Sequence, residues 1–167
     1  DTIKSLEGLV DIYLPDFKYI SPALSAKYSH APDYADVAKA AVAEMVRQCP
    51  RPVFDGDEAE DPIEEGLLMR QGVIVRHLLL PGCTRDSKAV IKYLYETYGN
   101  QIYLSIMNQY TPLENVSAYP ELNRKVTDEE YEEVVDYAIG LGVEQGFIQE
   151  GETAKESFIP AFDGEGV

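Results

Sequence analysis

The sequence is poor in the residue types that most often build metal sites, disulfide scaffolds and nucleic-acid interfaces. It contains no tryptophan, two histidines and two cysteines, and its 30 acidic residues outnumber 14 basic ones, for a net charge of −16. Cys49 and Cys83 are too few for a disulfide framework or for an independent zinc or iron–sulfur site. Because an acidic surface repels phosphate backbones, we expect no nucleic-acid partner.

Long apolar runs are also missing, and we expect no signal peptide in this sequence. No run approaches the roughly 20 residues that cross a bilayer, so we expect no membrane segment. With only two cysteines, a reducing, cytoplasmic compartment is the default expectation. The 45% hydrophobic and 26% charged residues in a chain of 167 are ordinary for one globular domain. The chain starts at Asp1 rather than at methionine, and we expect it to be a piece of a longer protein.

Apolar periodicity predicts alternating strands and helices. The order favours an α/β fold with a parallel sheet, but there are too few units for an eight-stranded barrel. An open or partial barrel and a doubly wound sheet both remain possible. Strands are predicted up to Asp16 and over 51–54, 73–80, 102–107 and 143–149, and helices over 34–48, from Asp86 or Ser87 to Gly99, and from the capping box at 127–130 to Gly142, with a loop over 21–31.

An acidic segment over residues 55–65 carries seven carboxylates. It begins Asp-Gly-Asp, as calcium loops often do. An EF-hand loop needs an oxygen ligand at its fifth position and glycine at its sixth, where this chain has Ala59 and Glu60. We therefore predict a solvated loop rather than a calcium site.

Charged side chains follow the predicted strands at their carboxyl ends. Asp16 and Lys18 are two residues apart and should leave one strand on the same face. The strand over 73–80 is apolar on both faces, which predicts a parallel strand covered on both sides. Arg76 interrupts this almost wholly apolar strand, and a buried guanidinium needs a partner or a ligand. Two interpretations stay open: an Arg76–Asp16 ion pair, or a site in which Lys18, Arg76 and Gln109 hold a carboxylate while Asp16 holds an ammonium.

Three neighbouring residues have structural interpretations beside functional ones. His77 should face away from Arg76 and is expected to be packed or hydrogen bonded rather than catalytic. Cys83 is expected to be a passive loop thiol. Met107 either belongs to the core or lies against a flat ligand ring. An aldolase-like role for Lys18 is a weaker idea, because a Schiff-base lysine must be desolvated and Asp16 beside it favours its charged form.

Four stretches resemble the C-terminal part of radical S-adenosylmethionine proteins similar to pyruvate formate-lyase activating enzymes. They are Asp-Ile-Tyr-Leu-Pro-Asp-Phe-Lys at 11–18, Val-Arg-His-Leu-Leu-Leu-Pro-Gly at 75–82, Asn-Gln-Tyr with a following proline at 108–112, and Phe-Ile-Pro-Ala-Phe-Asp at 158–163. The resemblance implies a partial (β/α) barrel of TIM-like type. Residues 1–167 would form its C-terminal half, with about four parallel strands and a tail over 150–167.

The resemblance also implies the cofactors and the residues that bind one of them. A 4Fe–4S cluster and S-adenosylmethionine would lie at the carboxyl rim, and cleavage of the latter yields a 5′-deoxyadenosyl radical that abstracts hydrogen. Lys18 matches a lysine that holds the methionyl carboxylate, Asp16 a nearby polar or cation site, and Arg76 the strand arginine before Pro-Gly. The last-strand region near adenine and carboxylate matches Met107, Gln109 and Tyr110.

Two departures from that family limit what is carried over. Activating enzymes proper have a histidine where this chain has Gln109-Tyr110, so the partner is either a glycyl radical enzyme or a small-molecule substrate. The motif C-x-x-x-C-x-x-C and the glycine-rich amine-binding motif belong to the N-terminal half and are absent, so this piece alone is not expected to catalyse the reaction. The alternative is a non-catalytic half-barrel that serves as a binding or protein-docking module. In either case the open sheet edge predicts that this chain self-associates or buries that edge under its own tail.

Overall fold

The computed structural model describes residues 2–56, 65–112 and 118–148, together with Pro62 and Val116. This part of the chain is α/β, as the alternating periodicity predicts. Its strands are β1 (Ile12–Tyr13), β2 (Val53–Phe54), β3 (Met69–Leu78), β4 (Tyr103–Met107) and β5 (Gly146–Ile148), and its helices are α1 (Pro22–Ser29), α2 (Tyr34–Gln48), α3 (Thr84–Tyr98) and α4 (Asp128–Leu141).

The sheet is mostly parallel. Strands β1, β3, β4 and β5 are neighbours in that order and run in the same direction. A further parallel bridge between Asp16 and Arg76 continues the β1–β3 pairing. Strand β2 pairs with β3 in the antiparallel direction, so the expectation that all strands run one way is wrong for β2. Strands β2 and β3 are consecutive in the chain, and antiparallel neighbours need no long crossover connection.

Burial in strand β3 is greater on one face than on the other. In β3, Val73, Val75 and His77 are buried and alternate with the partly exposed Ile74 and Arg76. The prediction was that both faces of this strand are covered, whereas the described residues bury one face more fully than the other. The buried face packs against helical side chains, because Val42, Val46, Val90, Ile91, Leu94 and Val134 share its hydrophobic core.

The opposite face of the sheet is here called the open face. Parallel register pairs Arg76 with Ser105 and Leu78 with Met107, and paired residues project to the same side. Ser105 in turn pairs with Phe147 of β5. Tyr103, which pairs with Ile74 on this face, is buried against the rings of Phe54 and Phe147. The open face also carries partly exposed side chains from three strands, namely Ile74, Arg76, Leu78, Ser105, Met107 and Phe147.

Two helices agree closely with the prediction. Helix α2 has the predicted bounds. Helix α4 starts with the predicted capping box, in which Thr127 Oγ1 accepts from the Glu130 N–H and the Glu130 carboxylate accepts from the Thr127 N–H. Gly142 follows α4 with φ of +91°, a left-handed conformation that glycine adopts without strain.

Two local predictions are wrong. Residues 21–31 were expected to form a loop, but α1 lies there, with Ser21 as its N-cap and Pro22 at its first position. Asp86 or Ser87 was expected to cap α3, but both lie inside its first turn. The Asp86 carboxylate instead accepts hydrogen bonds from the N–H groups of Ile20 and Ser21, and so holds the start of α1 against α3.

Among the described residues, no helix combines the length and apolar character needed to span a membrane. The tail over 150–167, including the stretch at 158–163, lies outside the described residues, as does most of the acidic segment over 55–65.

Candidate functional site

An ion pair on the open face joins β1 to β3 near their carboxyl ends. The Nε and Nη2 atoms of Arg76 each lie 2.8 Å from Oδ1 of Asp16. The ion-pair interpretation of Arg76 is therefore confirmed. The expectation of a buried guanidinium is wrong, because the Arg76 and Asp16 side chains are 41% and 43% exposed on a face that the described helices do not cover.

The backbone around this pair is fixed by the strand beside it. The Arg76 N–H donates to the Pro15 carbonyl and the Phe17 N–H donates to the Arg76 carbonyl, both at 2.8 Å. Phe17 is fully buried, and its ring lies against those of Tyr34 and Tyr93. Burial of Phe17 leaves its neighbours on either side exposed.

Lys18 lies at the end of this segment and is exposed, as is Asp16. Phe17 and Tyr19 are buried, so the chain keeps the strand-like alternation that places Asp16 and Lys18 on the same side. The Lys18 N–H donates to the Tyr34 hydroxyl at 2.9 Å. An exposed ammonium lacks the desolvation that a Schiff-base lysine needs, which argues against the aldolase-like role.

Of the residues at and after the end of β4, some lie on the open face and others pack against the hydrophobic core. Met107 lies on the open face beside Leu78, and its carbonyl accepts from the Leu79 N–H at 3.0 Å. Tyr110 packs against the hydrophobic core and donates its hydroxyl proton to the Leu122 carbonyl at 2.9 Å, and burial raises its pKa. Gln109 is partly exposed, two residues beyond β4.

The predicted site residues are therefore brought together in part. Asp16 and Arg76 are in contact, and Met107 shares their face two residues beyond the position paired with Arg76. Within the described part of the chain, no hydrogen bond or ion pair joins Lys18 or Gln109 to Arg76. Tyr110 acts in the support of the β4–α4 loop.

His77 lies on the buried face, as predicted, and is 3% exposed. Its Nδ1 is 2.7 Å from the Phe17 carbonyl oxygen and its Nε2 is 2.8 Å from the Ser87 hydroxyl. Burial lowers the pKa of His77, so the ring is held neutral. The prediction of a packed, hydrogen-bonded histidine is confirmed.

A second network, missed by sequence reasoning, ties the β3–α3 loop to α4. The Glu130 carboxylate accepts from the Gly82 N–H at 2.7 Å and from both Nη atoms of Arg124 at 2.7 Å. Hydrogen bonds from Arg124 lower the pKa of Glu130 to about 2. The capping box predicted Glu130 as a helix-start residue, but no local pattern indicated its contacts with Gly82 and Arg124.

The two thiols show no sign of metal binding or unusual reactivity. Cys83 is partly buried just before α3, and burial raises its pKa, which disfavours the reactive thiolate. Cys49 is buried, with its Sγ 3.5 Å from the Asp11 carbonyl oxygen. Within residues 2–56, 65–112 and 118–148, no group of histidine, cysteine, aspartate and glutamate side chains is arranged to hold a metal ion.

Comparison with known proteins adds one relative. No family model matches the chain, and no solved structure matches it. The chain is similar to the uncharacterized protein MJ0674 of Methanocaldococcus jannaschii, with 26% identity over 137 residues. The match covers 80% of this chain and 32% of that protein, so the chain spans about a third of the length of the curated relative it matches. This similarity assigns no activity.

Proposed function

We propose that residues 1–167 form the C-terminal half of a TIM-like partial (β/α) barrel in a radical S-adenosylmethionine enzyme similar to pyruvate formate-lyase activating enzymes. The open face would supply part of the S-adenosylmethionine site. The observation that supports this most is the Asp16–Arg76 pair, which lies near the carboxyl ends of parallel strands on a face that the described helices leave open. Ligands of α/β proteins bind at such ends.

The charges on this face suit an amino-acid group, such as the methionyl end of S-adenosylmethionine. The two donors of Arg76 both contact Oδ1 of Asp16, and a guanidinium has further N–H groups that point elsewhere. Lys18 adds a second cation on the exposed side. In the proposed site, Arg76 and Lys18 bind the carboxylate and Asp16 binds the ammonium.

The apolar part of the open face suits the rest of the cofactor. Ile74, Leu78 and Met107 present partly exposed side chains next to the ion pair. A thioether contacts an aromatic ring favourably, so Met107 is proposed to lie against adenine. Gln109 and Tyr110 follow directly and would border the same region.

The iron–sulfur cluster implied by the resemblance does not fit the described residues. Cluster binding needs several thiolates in one place, whereas Cys49 is buried beside backbone carbonyls and Cys83 begins α3. We therefore propose that the cluster is held by a part of the protein outside this chain and assign none of its chemistry to these residues. The partner would be a glycyl radical enzyme or a small-molecule substrate in the cytoplasm.

Calorimetric titration of S-adenosylmethionine into the full-length, cluster-loaded protein tests this function. Removing one charged hydrogen bond costs about 1.5–3 kcal/mol, so Lys18→Ala and Arg76→Ala should each weaken binding about tenfold or more. Lys92→Ala is the matched control, since Lys92 is exposed on α3 and pairs with Glu96. Unchanged affinity in both site variants would contradict the proposal.

A second candidate function is a non-catalytic half-barrel that docks a partner on its open face. It is favoured by the partly exposed Leu78, Met107 and Phe147 on that face. This candidate predicts that the full-length protein binds a macromolecular partner with no requirement for S-adenosylmethionine. A calorimetric response to S-adenosylmethionine that is lost in Lys18→Ala and Arg76→Ala would decide against it.

A further inference from the structure

Two side chains hydrogen bond to the peptide unit between Phe17 and Lys18, one at its carbonyl oxygen and one at its N–H. Its carbonyl oxygen lies 2.7 Å from His77 Nδ1, and its N–H donates to the Tyr34 hydroxyl at 2.9 Å. The same tyrosine hydroxyl donates to the Asp16 carbonyl at 3.0 Å. The sheet bonds Phe17 only through its N–H, so these two side chains fix the chain where the β1–β3 pairing ends.

The hydrogen atoms on His77 follow from its two partners. A carbonyl oxygen only accepts, so Nδ1 carries the hydrogen and donates to Phe17. Nε2 then accepts from the Ser87 hydroxyl at 2.8 Å, and Ser87 is itself buried in the first turn of α3. The imidazole thus connects α3 rigidly to the Phe17 carbonyl across the core.

We propose that His77 is a positioning residue, which holds the Phe17–Lys18 peptide so that Asp16 and Lys18 point onto the open face beside Arg76. His77 touches no ligand, because it projects from the buried face of β3 while Arg76 projects from the open one. Its effect on Lys18 passes through one peptide unit. The inference rests on the proposed function only in giving Lys18 and Asp16 a ligand to bind.

Two amide variants in the 167-residue chain separate this role from simple packing. The amide nitrogen of His77→Asn replaces Nδ1 and can still donate to Phe17, whereas that of His77→Gln replaces Nε2 and reaches only Ser87. Hydrogen exchange of the Lys18 amide, followed by NMR, is the readout. The Leu104 amide, which donates to Gln145 in the sheet, reports general loosening of the core.

Loss of one hydrogen bond is worth about 0.5–1.5 kcal/mol, so His77→Gln should speed Lys18 exchange up to about tenfold relative to Leu104. In the separate variant His77→Asn, the Lys18 amide should exchange at the same rate as in the unaltered chain. Equal acceleration of Lys18 and Leu104, or no acceleration of Lys18, would overturn the inference.

A variant that keeps the imidazole covers the case in which the amide variants do not fold. Tyr34→Phe removes the other bond to the same peptide and should accelerate Lys18 exchange while leaving Leu104 unchanged. An unchanged Lys18 rate there means that the peptide is fixed by packing alone, which would also overturn the inference. S-adenosylmethionine titration of the full-length protein is a separate readout, so failure of the proposed function leaves the exchange result standing.

Discussion

Arg76 lies on the exposed side of its strand, and this placement decides what its ion pair contributes. Exposed ion pairs add only about 0.2–1 kcal/mol to stability, because water screens the charges and both side chains lose freedom. A pair of this kind does little for folding. It keeps two opposite charges in fixed positions on an accessible surface, which is useful for binding a ligand that carries both charges.

The first prediction concerns this residue-scale distinction. Asp16→Asn should change the free energy of unfolding by less than about 1 kcal/mol, as measured by urea denaturation. His77→Leu leaves the Phe17 carbonyl and the Ser87 hydroxyl buried without their partner, and should cost more. A larger loss in Asp16→Asn than in His77→Leu would mean that the pair is part of the structural core.

Residue-scale expectations from the sequence were correct where strand alternation alone decides direction. Alternation predicted that His77 and Arg76 face opposite sides of the sheet. It also predicted that Asp16 and Lys18 project to the same side. It could not predict that Arg76 is exposed, since exposure depends on whether any other element covers that face. The contacts of Tyr34 with Asp16 and Lys18 join residues 16 to 18 positions apart and have no local signal.

At the scale of elements, the bounds of the helices were predicted best where capping residues or apolar spacing mark the helix ends. The capping box and Gly142 bound α4 correctly, and apolar spacing bounded α2. The Ser21-Pro22 start of α1 is also a helix signal. It was missed because α1 is only eight residues long and lacks a strong apolar stripe. Asp86 was predicted as a cap of its own helix, but its carboxylate accepts hydrogen bonds from the backbone at the start of α1.

Glu130 gives an element-scale prediction about pH. Its pKa is lowered from the ordinary 4.5 to about 2, chiefly by hydrogen bonds from Arg124. A carboxylate with a lowered pKa stabilises the fold above its unfolded pKa, and that contribution is lost as the pH falls from about 4.5 towards 2. Glu130→Gln should therefore lower stability at neutral pH and make it less dependent on pH between these limits.

Urea denaturation at several pH values between neutrality and pH 3 measures this difference. Glu133→Gln is the control, since Glu133 is exposed on the same helix and pairs with Lys88. The largest loss in Glu130→Gln should appear near neutral pH and shrink on acidification. A difference between Glu130→Gln and the unaltered chain that does not change with pH would contradict the assigned role of Glu130.

At the scale of the whole molecule, the parallel sheet has one covered face, one open face and an edge at β1. The sequence predicted the parallel sheet because strands and helices alternate. It predicted coverage on both faces because β3 is almost wholly apolar from Val73 onward, whereas the described residues bury one face of β3 more fully than the other. Apolar side chains on the open face are consistent with a surface that is covered in a larger assembly, but composition does not say by what.

Among the described residues β1 is an edge strand, and an edge strand can pair with a second copy of the chain, which predicts self-association. Leu14 follows β1 and is 53% exposed, so Leu14→Lys should shift the weight-average mass in sedimentation equilibrium towards the monomer. Val37→Lys adds the same charge at a residue that is 62% exposed on α2, and should leave the mass unchanged. If the chain without substitutions is monomeric at every concentration tested, this prediction is contradicted.

The central claim is that Lys18 and Arg76 recognise the carboxylate of S-adenosylmethionine. The most direct test compares S-adenosylmethionine with its carboxyl methyl ester by calorimetry on the full-length, cluster-loaded protein. The unaltered protein should prefer the free carboxylate about tenfold or more, and Lys18→Ala should reduce that preference. Equal affinity for the acid and the ester in the unaltered protein would contradict the claim.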